Sequence, residues 1–286
     1  MRKEQLSEIV RWVARKCHLG KVRPLQPLVR FLVDHLKSSK TVIFGHQMFL
    51  DKNDSLALSV YGRWEPLETQ IATSYLKQGS TVIDIGAHIG YYTLLFARAV
   101  GSTGKVIAVE PDPQNLSLLR KNISANGYEN VEVLPYAASD ISGEEFLYVR
   151  EKKSTGHSLV FPEYQQNKIL VNSIRLADAG LPPKIDLIKM DIQGGEVKTL
   201  IGMLPIIQEN PAIRLITEFW PYALEKSGFP AKEYLRILEV DCGFYLFDID
   251  ESKKQMNPSK TVDLLKRYTV QARNSTNLLC SKVADG

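Results

Sequence analysis

From residue 81 to residue 240 the sequence alternates short runs of aliphatic and β-branched residues with segments of helical spacing. The apolar runs at 81–85, 105–109, 131–135, 185–190 and 213–219 predict strands. The segments at 91–99, 113–124, 196–203 and 232–240 predict helices. Strands apolar on both faces must be covered on both sides, and parallel neighbours need crossover connections. The alternation therefore predicts an α/β fold, a mostly parallel sheet with helices on both faces. Two further strands, at 244–248 and 278–281 with a helix at 262–268 between them, suit a sheet of seven strands whose last strand returns antiparallel. The stretch 141–184 breaks the alternation and reads as an irregular strand-and-loop excursion over the site at the strand ends.

Upstream, 41–79 reads as a hairpin and a helix leading into the core. The hairpin turn is expected at Asp51-Lys52-Asn53-Asp54, and the helix opens at Trp64-Glu65-Pro66-Leu67-Glu68, with proline near its first position and acids in its first turn. Residues 1–40 form a third region, a helical extension with apolar residues at helical spacing over 4–19 and 27–37. It carries ten Lys/Arg against Glu4, Glu8 and Asp34, a balance of +7, while the net charge of the whole chain is +4. The body is thus slightly acidic, which speaks against nucleic acid as a partner. The basic extension either packs on the main domain or offers an amphipathic surface for peripheral docking on a membrane or a partner protein. No apolar run approaches a membrane span, and the charges at Glu4, Glu8, Arg11 and Arg15 interrupt any secretory signal. Three cysteines (Cys17, Cys242, Cys280) without ligand spacing and five scattered histidines suit a cytoplasmic protein with no metal site.

The chemistry concentrates in Val82-Ile83-Asp84-Ile85-Gly86-Ala87-His88-Ile89-Gly90, which leaves a strand and opens a helix. Gly86 permits the tight turn and Gly90 a close approach of helix to strand. Such a loop floors a ligand crevice at the carboxyl end of the first strand. Glu110 ends the next strand 24 residues after Gly86, where a carboxylate can accept from both hydroxyls of a ribose. A dinucleotide fingerprint starting at Gly86 would need glycine at positions 88 and 91, which hold His88 and Tyr91. The pattern instead suits an adenosine ligand without phosphates, S-adenosylmethionine, with Asp84 facing its ammonium or sulfonium side.

These residues carry a family resemblance. The segment VIDIGAHIGYYTLLFARAVGSTGKVIAVEPDPQNLSLLRKN is similar to the core of the FkbM-type methyltransferases, a branch of the class I S-adenosylmethionine-dependent enzymes with a Rossmann-like fold. The likeness continues through Ala137-Ala138-Ser139-Asp140, through Ile188-Lys189-Met190-Asp191-Ile192-Gln193-Gly194-Gly195-Glu196, and through Thr217-Glu218-Phe219-Trp220-Pro221. It implies an S-adenosylmethionine-binding domain over 80–286 and O-methylation, less often N-methylation, of a sugar, glycan or other small metabolite. It also implies roles. Asp84, Gly86, Ala87, His88 and Gly90 would cradle the methionine part and Glu110 the ribose. Pro111 and Asp112 would border the adenine, whose edge would meet Ala138, Ser139 and Asp140. Asp191 would lie where the methyl group is handed over. Two positions depart from the family pattern: His88 stands for the usual Asn, and Gln193 for a Glu that Gln cannot replace as a base.

In-line methyl transfer to a hydroxyl requires alignment and removal of a proton. Asp191, ending the fourth strand, is the first candidate base unless it caps the next helix; His88 and Glu218 follow. Two other readings stand beside methyl transfer: a nicotinamide-dependent oxidoreductase on a similar sheet, which His88 disfavours, and a non-catalytic module that keeps S-adenosylmethionine as a structural ligand.

Overall fold

The computed structural model describes residues 37–149 and 167–284. The expected helices over 4–19 and 27–37 lie almost wholly outside them. The chain divides into two compact units after Trp64. In the first, β1 (Lys40–Ile43) and β2 (His46–Phe49) form an antiparallel hairpin, followed by the short helix α1 (Leu58–Tyr61). The turn sits at Phe44-Gly45, both at positive φ (48° and 86°), not at 51–54 as expected. Consecutive left-handed residues match the twist of a tight hairpin. Asp54 instead organises the helix, its carboxylate accepting from the Leu58 and Ser59 amides at 2.8 and 2.9 Å. These bonds turn the expected second strand into a helix, because an aspartate competes for backbone donors.

The second unit begins with α2 (Pro66–Ser74) and then follows the alternation: β3 (Thr81–Ile85), α3 (Tyr91–Val100), β4 (Lys105–Val109), α4 (Pro113–Ala125) and β5 (Val131–Leu134). After β6 (Ala137–Ser139), β7 (Gly143–Val149) and β8 (Asn167–Arg175) it resumes with β9 (Leu187–Met190), α5 (Glu196–Glu209), β10 (Arg214–Phe219), α6 (Pro221–Lys226) and α7 (Ala231–Arg236). The chain closes with β11 (Tyr245–Asp250), β12 (Gln255–Ser259), α8 (Thr261–Arg267) and β13 (Thr276–Ser281). The main sheet runs β12-β11-β13-β10-β9-β3-β4-β5. The five strands from β10 to β5 are parallel and β13 is antiparallel to β10. This is the Rossmann-like arrangement with its returning last strand. Ile83, Ile107, Ile188, Leu215 and Leu278 are fully buried along it, with Val197 and Leu200 of α5 in the same core.

The sheet has eight strands where seven were expected. The additional β12 pairs antiparallel with β11 at the edge, with Pro258 opposite Phe247. Its sequence, QMNPS, has neither alternation nor β-branched residues, and a proline is tolerated because an edge strand needs only one set of partners. The stretch expected to be irregular is also ordered over its described part. β6, β8 and β7 form a separate three-stranded sheet in which Leu147 and Val171 face inward, while Phe146 and Leu170 pair on the exposed face. Among the described residues no helix is long and apolar enough to cross a membrane, and no group of three His, Cys, Asp or Glu is placed to hold a metal ion.

Candidate active site

The registers bring the carboxyl ends of four strands level. Ile85 lies opposite Val109 of β4 and Met190 of β9, and Met190 lies opposite Thr217 of β10. The next residues, Gly86, Glu110, Asp191 and Glu218, therefore rim one crevice, the position that open α/β sheets use for ligands. The loop ends are tied together by backbone. The amides of Gly86 and Ala87 donate to Val109 O at 2.9 and 3.1 Å, and the Asp191 amide donates to Ile85 O at 3.1 Å. Gly86 has φ +81°, and a Cβ there would lie 2.1 Å from the Asp191 carbonyl oxygen. Only a hydrogen fits between the two loops.

Glu110 is held in one orientation. Its Oε2 accepts from the His88 amide at 2.9 Å, and its Oε1 from the Asp112 amide at 2.9 Å and from Asn115 Nδ2 at 3.3 Å. Burial pushes its carboxyl up to about 7, against the lowering effect of the two amides. These bonds take three of the carboxylate's roughly four acceptor sites, so Oε2 keeps one for a ribose hydroxyl. His88 explains one departure from the family pattern. Its φ is +53°, a conformation that Asn, Asp and His tolerate better than most side chains. What His88 shares with asparagine is backbone geometry as much as hydrogen bonding.

Other expected binding residues are already engaged in the scaffold. Asp84 is buried, accepts from Thr93 Oγ1 at 2.5 Å, and is raised by burial to about 6. Asp112 caps α4 by accepting from the amides of Gln114 and Asn115; Pro111 precedes it. Gly90 is the residue before α3. Ala138 and Ser139 are buried in β6. Thr199 Oγ1 donates to Ala138 O at 2.8 Å, and Ser139 Oγ donates to Glu145 at 2.8 Å and to Asp140 at 3.1 Å.

Asp191 follows β9, and its side chain is 36% exposed. It is not a helix cap, because α5 starts at Glu196 with Gly195 before it. Gln193, at φ +54°, donates from Nε2 to Asp191 Oδ1 at 3.2 Å and to Glu218 Oε2 at 3.0 Å. The amide thus joins two carboxylates that a glutamate at that position would repel. Burial pushes Glu218 well above the usual range, reinforced by Asp191, Glu196 and Glu65. Glu196 is likewise raised by burial, to about 7, tempered by backbone amides of its own loop.

Behind this lip lies a set that the sequence did not single out. Lys189 Nζ, fully buried, is 3.2 Å from Glu68 Oε1 and 3.9 Å from Asp191 Oδ2. Burial works against its charge, but Glu68, Asp191 and Glu65 outweigh it and hold the ammonium protonated. Tyr92 donates to Glu68 Oε1 at 2.6 Å and turns its ring toward the ammonium, 5.1 Å from Nζ. A single cation inside an otherwise apolar strand was the available signal. Beyond β10, Trp220 packs on Tyr222 with ring centroids 5.9 Å apart, and Arg273 lies 4.4 Å over the Tyr222 ring.

Comparison with known proteins identifies the family of the chain. The family model described as the methyltransferase FkbM domain matches residues 84–271. Protein-L-isoaspartate O-methyltransferase 1 of Archaeoglobus fulgidus is 41% identical over 59 residues, 21% of this chain and 27% of that protein. The protein-L-isoaspartate O-methyltransferase of Methanococcus aeolicus is 36% identical over 139 residues, 47% of this chain and 63% of that protein. The chain thus matches less than two thirds of the length of either relative. Among solved structures, the FkbM methyltransferase of Methylobacillus flagellatus KT aligns at a TM-score of 0.44 and 17% identity over 79% of this chain and 53% of that one.

Proposed function

Because the chain belongs to the FkbM family of S-adenosylmethionine-dependent methyltransferases, we propose that the whole protein methylates a hydroxyl on a sugar, glycan or secondary metabolite. The observation that carries this reading is the fixed Glu110 carboxylate beside the Gly86–Gly90 turn, with Asp191 on the adjoining strand end. When bound, S-adenosylmethionine supplies an electrophilic methyl group on a sulfonium. Asp84 of β3 and Gly86, Ala87, His88 and Gly90 of the turn that follows hold its methionine part, and Glu110 holds the ribose. Pro111, Asp112, Ala138, Ser139 and Asp140 border the adenine, with Asp112 and Ser139 acting mainly by shaping the wall.

Asp191 takes the acceptor's proton, since it is a partly exposed carboxylate at the lip and is steered by Gln193. Glu218, raised by its burial and its acidic neighbours, serves as a hydrogen-bond partner to the acceptor. His88 stands on the cofactor side as an orienting group. A carboxylate acceptor fits less well, because it would bring a further negative charge to a lip already holding the partly exposed Asp191. We assign the methyltransferase domain to 80–286 and the protein to the cytoplasm.

Calorimetry tests the cofactor: S-adenosylhomocysteine should bind and NADH should not, and the reverse would sink the reading. Transfer of labelled methyl into a metabolite or glycan extract tests the activity. Once an acceptor is found, Asp191→Ala should bind S-adenosylhomocysteine normally and lose at least roughly a hundredfold in rate, as expected for a lost general base. Undiminished turnover would remove Asp191 from its role.

A further inference from the structure

Lys189 and Glu68 are an expensive pair to keep. Both side chains are fully buried (1% and 0% exposed), and replacing such a pair with apolar residues of similar volume often leaves a protein as stable or more so. Stability therefore does not account for it, and its position does. Lys189 sits between two carboxylates and lies nearer the buried one, 3.2 Å against 3.9 Å to Asp191. Glu68 is built to win that competition. Tyr92 aligns its Oε1 at 2.6 Å, and the Glu68 amide donates to Glu251 Oε1 at 2.7 Å, fixing the first turn of α2. Asp191 meanwhile has its other oxygen on Gln193 and a side chain partly open to the crevice.

We propose that Glu68 is a positioning residue that sets the charge of the cofactor site. By taking the nearer share of Lys189 it leaves the Glu68–Lys189–Asp191 trio with two carboxylates to one ammonium, a net negative charge that Asp191 presents to the crevice, so that the site prefers a sulfonium donor to its neutral thioether product. The inference rests on the functional reading above. Without Glu68, the same ammonium would be neutralised by Asp191 and the local field would lose one negative charge. The carboxylates that bear on Lys189 and Asp191 are Glu65 and Glu68 from the α2 region, Asp84 from β3, Glu196 from α5 and Glu218 from β10. None of the others lies as close to the ammonium as Glu68 and Asp191 among the described ion pairs.

The test is the ratio of affinities for S-adenosylmethionine and S-adenosylhomocysteine, measured by calorimetry on the full-length protein. Glu68→Gln keeps the shape and removes the charge. It should weaken the sulfonium ligand relative to the thioether by about tenfold, the order expected for one uncompensated charge at short range in a partly buried site. The double variant Glu68→Gln/Lys189→Met removes both charges and should return the ratio to within about twofold of wild type. A packing defect would weaken both ligands alike and would not be repaired by a second substitution. A ratio unmoved in Glu68→Gln, or left low in the double variant, overturns the proposal. If the single variant does not fold, the double variant decides: a near-wild-type ratio upholds the proposal, and a tenfold fall overturns it. Wild-type protein that binds neither ligand removes the functional reading and this inference together. Wild-type binding with variant-independent ratios removes only the inference.

Discussion

Replacing Gly86 by alanine measures how tightly the two loops at the crevice are joined. The residue has φ +81°, and its added Cβ would meet the Asp191 carbonyl oxygen at 2.1 Å, with Asp191 C and Ile192 Cγ2 each at 3.1 Å. The backbone conformation alone costs an alanine about 1–2 kcal/mol. Relieving the overlap means moving the Asp191 peptide by more than an ångström, although its amide is bonded to Ile85 O; overpacking of this kind adds about 1–3 kcal/mol. The expected loss is therefore about 2–5 kcal/mol. Gly127→Ala supplies the reference, because Gly127 also has positive φ (+67°) but nothing within 4 Å of where its new methyl group would lie. It should lose only the conformational part, about 1–2 kcal/mol. Urea midpoints at unchanged slope give the difference, and calorimetry should show weakened S-adenosylhomocysteine binding for Gly86→Ala alone. Equal midpoints for the two variants would refute the claim that the loops are in steric contact.

Three further outcomes follow from the same structure. Asp84, Glu110 and Glu196 are raised by burial to about 6, 7 and 7 from ordinary values of 3.8, 4.5 and 4.5. The folded chain thus binds more protons than the unfolded one across that window, and stability should fall as pH rises from about 4 to 7. Urea midpoints at pH 5 and pH 8 check the sign, and Glu110→Gln should flatten the slope. Asp112→Ala removes the cap of α4 and should cost about 0.5–2 kcal/mol in thermal or urea unfolding. Gln193→Glu places a third carboxylate between Asp191 and Glu218, and should lower the urea midpoint more at pH 8 than at pH 5; an equal loss at both would argue against charge as the cause.

The parallel core was legible because its central strands are mostly apolar on both faces, so strand and helix periods separate from Thr81 to Leu134 and again from Ile185 to Phe219. Glu110 and the Gly86 turn were legible for a related reason: they are local, each fixed by a strand end a residue or two away. What was hidden depends on partners far along the chain. Glu68 looked like an ordinary first-turn acid, and only the folded sheet brings Lys189 against it. Asp54 read as a turn residue because its helix-forming bonds to Leu58 and Ser59 compete with a strand pattern of equal apparent strength. β12 was missed because an edge strand with a proline needs little of the usual strand chemistry. His88 and Gln193 showed as departures from a family pattern, but the left-handed backbone that both occupy is visible only in three dimensions.

The bond from the Glu68 amide to Glu251 spans 183 residues. During synthesis α2 leaves the ribosome long before the β11–β12 turn that carries Glu251, so the first turn of that helix waits for its partner until nearly the whole sheet exists. The clasp ties the first turn of the helix bearing Glu68 to the last-made edge of the sheet, and a chain stopped short of it would hold every residue of the Gly86–Gly90 turn yet lack this anchor.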